Sequence, residues 1–206
     1  MLNFYFSKGS SALAAHILLE EVGAEYNAIE VSIAKAEHQS PEFLRRNPKG
    51  RVPLLETLDG IITENPAILE YIAATHPAAN CLLEGAFAQA QARSFCAYLC
   101  ATAHVAAAHR HRGHRWAKAE ASIRDMQSTV PRNLMACAEV LEDGLASGQW
   151  VMGDTYTMCD PYLFQFSRWL AAAEVQIENY PRLTAHREAM RARAATQTAL
   201  KAHGLT

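Results

Sequence analysis

The stretch PLLETLDGIITENPAILEYIAAT, residues 53–75, decides the fold. Two short apolar runs, 53–58 and 61–63, flank Asp59-Gly60, a dipeptide that favours a tight hairpin turn. Asn65-Pro66 then opens a helix over 67–75, with proline in the first turn, where its missing N–H costs little. Upstream, residues 2–6 form a short aromatic, β-prone run, and 10–22 carry a helix pattern closed by Gly23. Residues 26–33 alternate like a strand, and 42–46 allow only a brief helix before Asn47-Pro48-Lys49-Gly50 stops it. The order β-α-β-(α)-β-β-α predicts two parallel strands joined by a helix, then an antiparallel hairpin, in one mixed sheet with helices packed on it.

Beyond His76-Pro77-Ala78-Ala79-Asn80 the strand signals vanish. Residues 86–108, 116–122, 130–145, 158–173 and 182–203, the last with a break near Ala195, read as helices rich in alanine, which favours helix formation and close packing. The expected organisation is an α/β domain over 1–76, a linker over 77–85 and an all-helical domain over 86–206.

Half of the 206 residues are hydrophobic and 19% are charged, the balance of a folded globular chain. A net charge of −2 gives no drive toward nucleic acid or an anionic membrane surface. No apolar run approaches the ~20 residues that span a bilayer. The start, MLNFYFSKGSS, lacks the features of a secretory signal, so a cytoplasmic protein is expected. The five cysteines are scattered with no CxxC pair, which fits neither a disulfide framework nor a zinc site. Cys96 and Cys100 read as small core residues of one helix face.

Four separated segments carry a family resemblance: FYFSKGSSALAAHI (4–17), NPKGRVPLLE (47–56), ITENPAILEYIA (62–73) and GDTYTMCDPYLF (153–164). Together they resemble a bacterial glutathione S-transferase, closest to the beta class, over essentially the whole chain. The resemblance implies a thioredoxin-like α/β N-terminal domain, an all-α C-terminal domain and a homodimer. It also implies glutathione as co-substrate, with no metal.

Glutathione offers a thiol, a glycyl carboxylate, and a γ-glutamyl end bearing both carboxylate and ammonium. A free thiol titrates near pH 8.5, so its anion must be stabilised to serve at neutral pH. Ser10 and Ser11 stand where the first strand gives way to a helix. Backbone N–H groups there, and a hydroxyl donating to sulfur, would favour the thiolate. Ser11 matches the beta-class catalytic cysteine, and the resemblance assigns it the thiolate contact; Ser10 and Tyr5 are the alternatives. The plain alternative role for either serine is a helix cap. Serine cannot form a mixed disulfide with glutathione, so transfer or peroxidase chemistry is expected over thiol–disulfide exchange.

The resemblance further implies a cis Val52-Pro53 bond that turns the Val52 backbone toward the peptide-like middle of glutathione. It gives Glu64 the γ-glutamyl ammonium, Asn65 and its helix start the carboxylate, and Lys35 the glycyl carboxylate. His104 resembles a helical-domain histidine that approaches glutathione across the domain cleft. Ala97 and Val105 replace the asparagine and lysine expected near it. The basic segment His109–Arg115 reads as a solvated helix end: its histidines lack the partners of a zinc site, and it matches no nucleic-acid motif. Thr157 and Asp160 are expected to form a structural capping box, Thr157 accepting from the Asp160 N–H and Asp160 from the Thr157 N–H.

The expected activity is addition of the glutathione thiolate to a small hydrophobic electrophile. Two alternatives stand beside it: a non-catalytic glutathione-binding or regulatory protein, and a glutathione-dependent peroxidase or isomerase.

Overall fold

A computed structural model of the chain describes residues 1–205. The backbone divides into two compact units, Met1–Glu84 with Met190–Thr206, and Gly85–Ala189.

The first unit holds β1 (Leu2–Phe6), α1 (Leu13–Glu21), β2 (Tyr26–Glu30), α2 (Pro41–Arg46), β3 (Leu54–Glu56), β4 (Ile61–Thr63) and α3 (Asn65–Thr75). The sheet order is β2-β1-β3-β4, with β1 parallel to β2 and antiparallel to β3, which pairs antiparallel with β4. This is the mixed sheet the sequence predicts. The hairpin closes over Thr57–Gly60, where the Thr57 N–H donates to Gly60 O at 2.8 Å.

Because strand side chains alternate, β1 sends its residues to two different neighbourhoods. Tyr5 joins Val31, Phe43 and Leu54 in one apolar cluster. Phe4 and Phe6, in contrast, pack on His16 of α1. Phe6 also meets His203, just beyond α9 (Ala194–Ala202). His16 and His203 are buried, with ring nitrogens 3.1 Å apart. Arg193 grips Glu21 of α1, its Nε donating to Oε2 at 2.9 Å.

The compact units divide the end of the chain differently from the expected sequence segments. The end of the chain packs with the first unit, because α9 lies along α1. A helix pattern states which face is apolar but not what covers it, so contiguity alone had placed this segment with the helical domain.

The second unit is helical: α4 (Ala86–Tyr98), α5 (His104–Arg112), α6 (Glu120–Gly144), α7 (Asp160–Ala172) and most of α8 (Pro181–Arg191). A π-helical turn, Leu99–Ala103, joins α4 to α5. Where two helices were expected over 116–122 and 130–145, one runs through from Glu120, and Trp116–Ala119 are not helical. Pro131 lies inside it. Proline removes one backbone donor, but the buried face of Val130, Leu134, Cys137, Ala138 and Leu141 outweighs that loss. The final helix pair breaks ahead of Ala194, close to the expected position.

The anchor of this unit is Asp160, which is fully buried. Its Oδ2 accepts from the Thr157 N–H at 2.7 Å and the Thr157 hydroxyl at 3.1 Å. Its Oδ1 accepts from the Val151 N–H at 2.8 Å and lies 3.0 Å from His186 Nε2. The reach from Asp160 back to Thr157 N–H agrees with a capping box. The other arm differs: Thr157 Oγ1 accepts from the Cys159 N–H at 3.3 Å, while the Asp160 N–H bonds to Thr157 O.

Replacing Asp160 with alanine strands several buried donors. Asp160→Ala should lose about 3–5 kcal/mol in chemical denaturation. Burial holds His16 below its ordinary value, and the Glu20 carboxylate pulls it partly back. The unfolded chain therefore takes up this proton first as pH falls. Stability should be full above about pH 6.5 and decline below it. His16→Asn should flatten that slope in melting curves taken from pH 7.5 to 5.

Candidate functional site

The turn between β1 and α1 uses its two serines differently. The Ser10 hydroxyl donates to Ser7 O at 2.7 Å and accepts from the Ala12 N–H at 3.3 Å. Ser10 is thus occupied in shaping the turn, the capping role open to either serine. The Ser11 hydroxyl makes no hydrogen bond among the described residues, although Ser11 is only 8% exposed. A nearly buried donor of this kind is available to something that enters.

Ser11 is held by its carbonyl. Ser11 O accepts from the Ala14 N–H at 3.3 Å and from Asn65 Nδ2 at 3.0 Å. That second bond is buried and joins the start of α1 to the start of α3. Asn65 is 4% exposed and its Oδ1 has no hydrogen-bond partner. One of the two Asn65 amide N–H groups is thus committed to the Ser11 carbonyl, and the other makes no hydrogen bond among the described residues.

Tyr5 is committed in another way. Its hydroxyl donates to Glu56 Oε2 at 3.1 Å, and Arg46 lies over its ring. Burial, reinforced by the Glu56 carboxylate, pushes this phenol above its ordinary value. Its one proton is retained and already placed. Of the three hydroxyl candidates, Ser11 alone is uncommitted.

The Val52-Pro53 peptide is cis. Val52 packs against the Tyr5 cluster, and its N–H and C=O take part in no hydrogen bond among the described residues. The preceding loop is pinned from below by Asn47, which is buried and donates from Nδ2 to Arg51 O at 2.7 Å. Gly50 has φ +57°, a left-handed backbone that favours glycine, and a Cβ there would displace the Gln39 side-chain amide, 2.3 Å away.

Glu64, which precedes α3, has φ 75° and ψ 127°, an uncommon backbone for a residue with a side chain. This conformation delivers its carboxylate beside the helix start. Oε1 receives Lys49 Nζ at 2.6 Å, and the same ammonium donates to Thr63 Oγ1 at 2.6 Å. Lys49 lies in the NPKGRVPLLE segment, but nothing in that segment pairs it with Glu64; the pair appears only once the two loops are folded together. Lys35 stands on an exposed loop, its N–H donating to Ser32 Oγ at 3.2 Å, and no described residue pairs with its ammonium. That loop touches the Gly50 turn through Gln39.

His104 lies in the helical unit, directly after the π-helical turn, its ring stacked on Trp169 at 4.6 Å. No group of three His, Cys, Asp or Glu among the described residues is arranged to hold a metal ion. No described helix is long and apolar enough to cross a membrane.

With this geometry in hand, comparison with known proteins is decisive. Residues 3–74 match the N-terminal domain of glutathione S-transferase, and residues 108–202 match its C-terminal domain. The chain belongs to the glutathione S-transferase family. Glutathione S-transferase GST-4.5 of Xanthomonas campestris pv. campestris is 31% identical over 99% of this chain and 100% of its own. A glutathione transferase homolog from Sulfitobacter, solved with bound glutathione, superposes with a TM-score of 0.95 at 40% identity, covering 100% and 99% of the two chains. The beta-class transferase of Sphingomonas chungbukensis gives 0.86 at 28%, covering 99% and 100%. As a transferase-family chain it is bacterial and beta-like, with a thioredoxin-like first unit.

The Ser11–Asn65 tie makes a prediction of its own. Asn65→Asp is nearly isosteric but turns a buried donor into an acceptor facing the Ser11 carbonyl. The new carboxyl would favour its protonated form in the fold, so its destabilisation should grow as pH rises. Relative to the unaltered protein, a loss of about 1–3 kcal/mol is expected at pH 8, and less at pH 5, by urea denaturation.

Proposed function

We infer that the chain is a glutathione transferase that binds glutathione and adds its thiolate to a small hydrophobic electrophile. The observation that carries this reading is the uncommitted hydroxyl of Ser11, on a residue only 8% exposed, just ahead of α1. Other groups of the first unit suit the rest of the tripeptide. The unpaired N–H and C=O of Val52 suit the cysteinyl backbone, as a strand suits an extended peptide. The Glu64 carboxylate suits the γ-glutamyl ammonium, and the Lys35 ammonium suits the glycyl carboxylate. The Sulfitobacter relative carries glutathione in its crystal structure. His104 is retained as a glutathione contact on the resemblance of its segment.

Chemically the protein does little beyond holding the sulfur as an anion. The Ser11 O–H donates to the thiolate and so lowers the thiol's pKa. The N–H groups that open α1 add a positive potential at the same point. Fixing the thiolate beside a bound electrophile removes the entropic part of a bimolecular attack. The sulfur forms the new bond, and the leaving group or the added proton's site belongs to the electrophile. With serine in place of cysteine, no covalent enzyme–glutathione disulfide enters the cycle. A cytoplasmic homodimer acting in detoxification completes the proposal.

The test is a pair of substitutions. Ser11→Ala should raise the pKa of bound glutathione by about one unit, read from thiolate absorbance against pH, and lower turnover of a chlorodinitroarene about tenfold at pH 6.5. Tyr5→Phe should leave that titration unchanged. A shift caused by Tyr5→Phe but not by Ser11→Ala would transfer the role to the tyrosine. Absence of any binding to immobilised glutathione would reject the reading as a whole.

A further inference from the structure

An extended peptide that lies along a loop is held by backbone groups, so the direction of each loop amide decides whether it can bind. In the first unit that direction is set at Val52 by a side chain earlier in the same turn. Asn47, which follows α2, is only 1% exposed, and all of its polar atoms are bonded inside the protein. Its N–H donates to Phe43 O at 2.9 Å, and its C=O accepts from the Gly50 N–H at 2.9 Å. Oδ1 accepts from the Lys49 N–H at 3.2 Å, and Nδ2 donates to Arg51 O at 2.7 Å. Closing a turn of this kind needs the Oδ1 bond alone. The Nδ2 bond does something more.

It acts on the next residue. The Arg51–Val52 peptide is trans. In a planar trans unit the C=O and the N–H point in opposite directions. Drawing Arg51 O onto buried Asn47 therefore turns the Val52 N–H the other way, where it meets no acceptor among the described residues. The turn is anchored on its far side as well. Phe43, which receives the Asn47 N–H, belongs to the apolar cluster against which Val52 packs. The choice of side chain is narrow: ionised aspartate has no donor for Arg51 O, and serine is too short to supply both bonds.

We propose that Asn47 is a positioning residue for glutathione: by holding Arg51 O it presents the Val52 N–H to the cysteinyl carbonyl. The proposal rests on the reading of the chain as a glutathione-binding protein. Asn47 acts without touching the ligand. It removes the freedom of the Arg51–Val52 peptide to flip, so the ligand meets a donor that is already aimed.

The measurement is calorimetric titration of two ligands into the unaltered protein, Asn47→Ser and Asn47→Asp, each well below its melting temperature. One ligand is glutathione; the other is its thioamide, in which sulfur replaces the cysteinyl carbonyl oxygen and weakens that acceptor. The unaltered protein should bind glutathione about fivefold more tightly than the thioamide, the scale of one neutral hydrogen bond. Asn47→Ser should lose about fivefold for glutathione and little for the thioamide, so that the two bind alike. Asn47→Asp should do the same at pH 8 and regain the preference toward pH 5, because a protonated carboxyl again donates to Arg51 O. A fold made only less stable would weaken both ligands together and keep their ratio. A preference that survives in the variants would therefore overturn the role of Asn47 and leave the glutathione reading intact. Failure of Asn47→Asp to regain the preference at low pH would overturn it too, as would equal binding of the two ligands by the unaltered protein. No heat from glutathione with the unaltered protein would bring down the glutathione reading itself.

Discussion

A single buried hydrogen bond, from Asn65 Nδ2 to the Ser11 carbonyl, ties together the two helix starts on which the candidate site depends. Each start is locally defined. The turn before α1 is shaped by Ser10, and α3 begins from the unusual backbone of Glu64 followed by an early proline. Neither local structure says where the other lies. The bond spans 54 positions of sequence, and it fixes Ser11 by its backbone, leaving the hydroxyl free. A buried amide has few ways to be satisfied, so the geometry around it is narrow. Its unpartnered Oδ1 marks the cost of that choice.

The same division of labour appears in the other groups near Ser11. Ser10 and Tyr5 are polar and chemically capable, yet each has its hydroxyl proton assigned inside the protein. What the fold leaves uncommitted among the candidates is the Ser11 hydroxyl, the backbone of Val52 and the Lys35 ammonium. A site of this kind is defined by subtraction. The donors that hold the fold cannot also hold the substrate.

The helical unit shows a comparable anchor in Asp160, whose carboxylate gathers Val151, Thr157 and His186. This buried acid is surrounded by donors and lies among packed apolar side chains, which makes it a structural centre. His104 sits elsewhere in the unit, directly after the π-helical turn, its ring stacked on Trp169.

Much of this was legible in the chain itself. The period of apolar residues, the Asp59-Gly60 turn and the early Pro66 set the order of strands and helices, because those signals act over a few neighbouring residues. The four motif segments set the family, and with it Ser11, Val52 and Glu64 as candidates. Three things were decided only by tertiary structure. The last helix returned to α1, since an apolar stripe does not name its partner. One helix ran through Pro131, because buried side chains outweighed a lost backbone bond. The roles of Asn65 and Lys49 came from partners 54 and 15 residues away, and a donor's destination depends on which acceptor the fold brings within 3 Å.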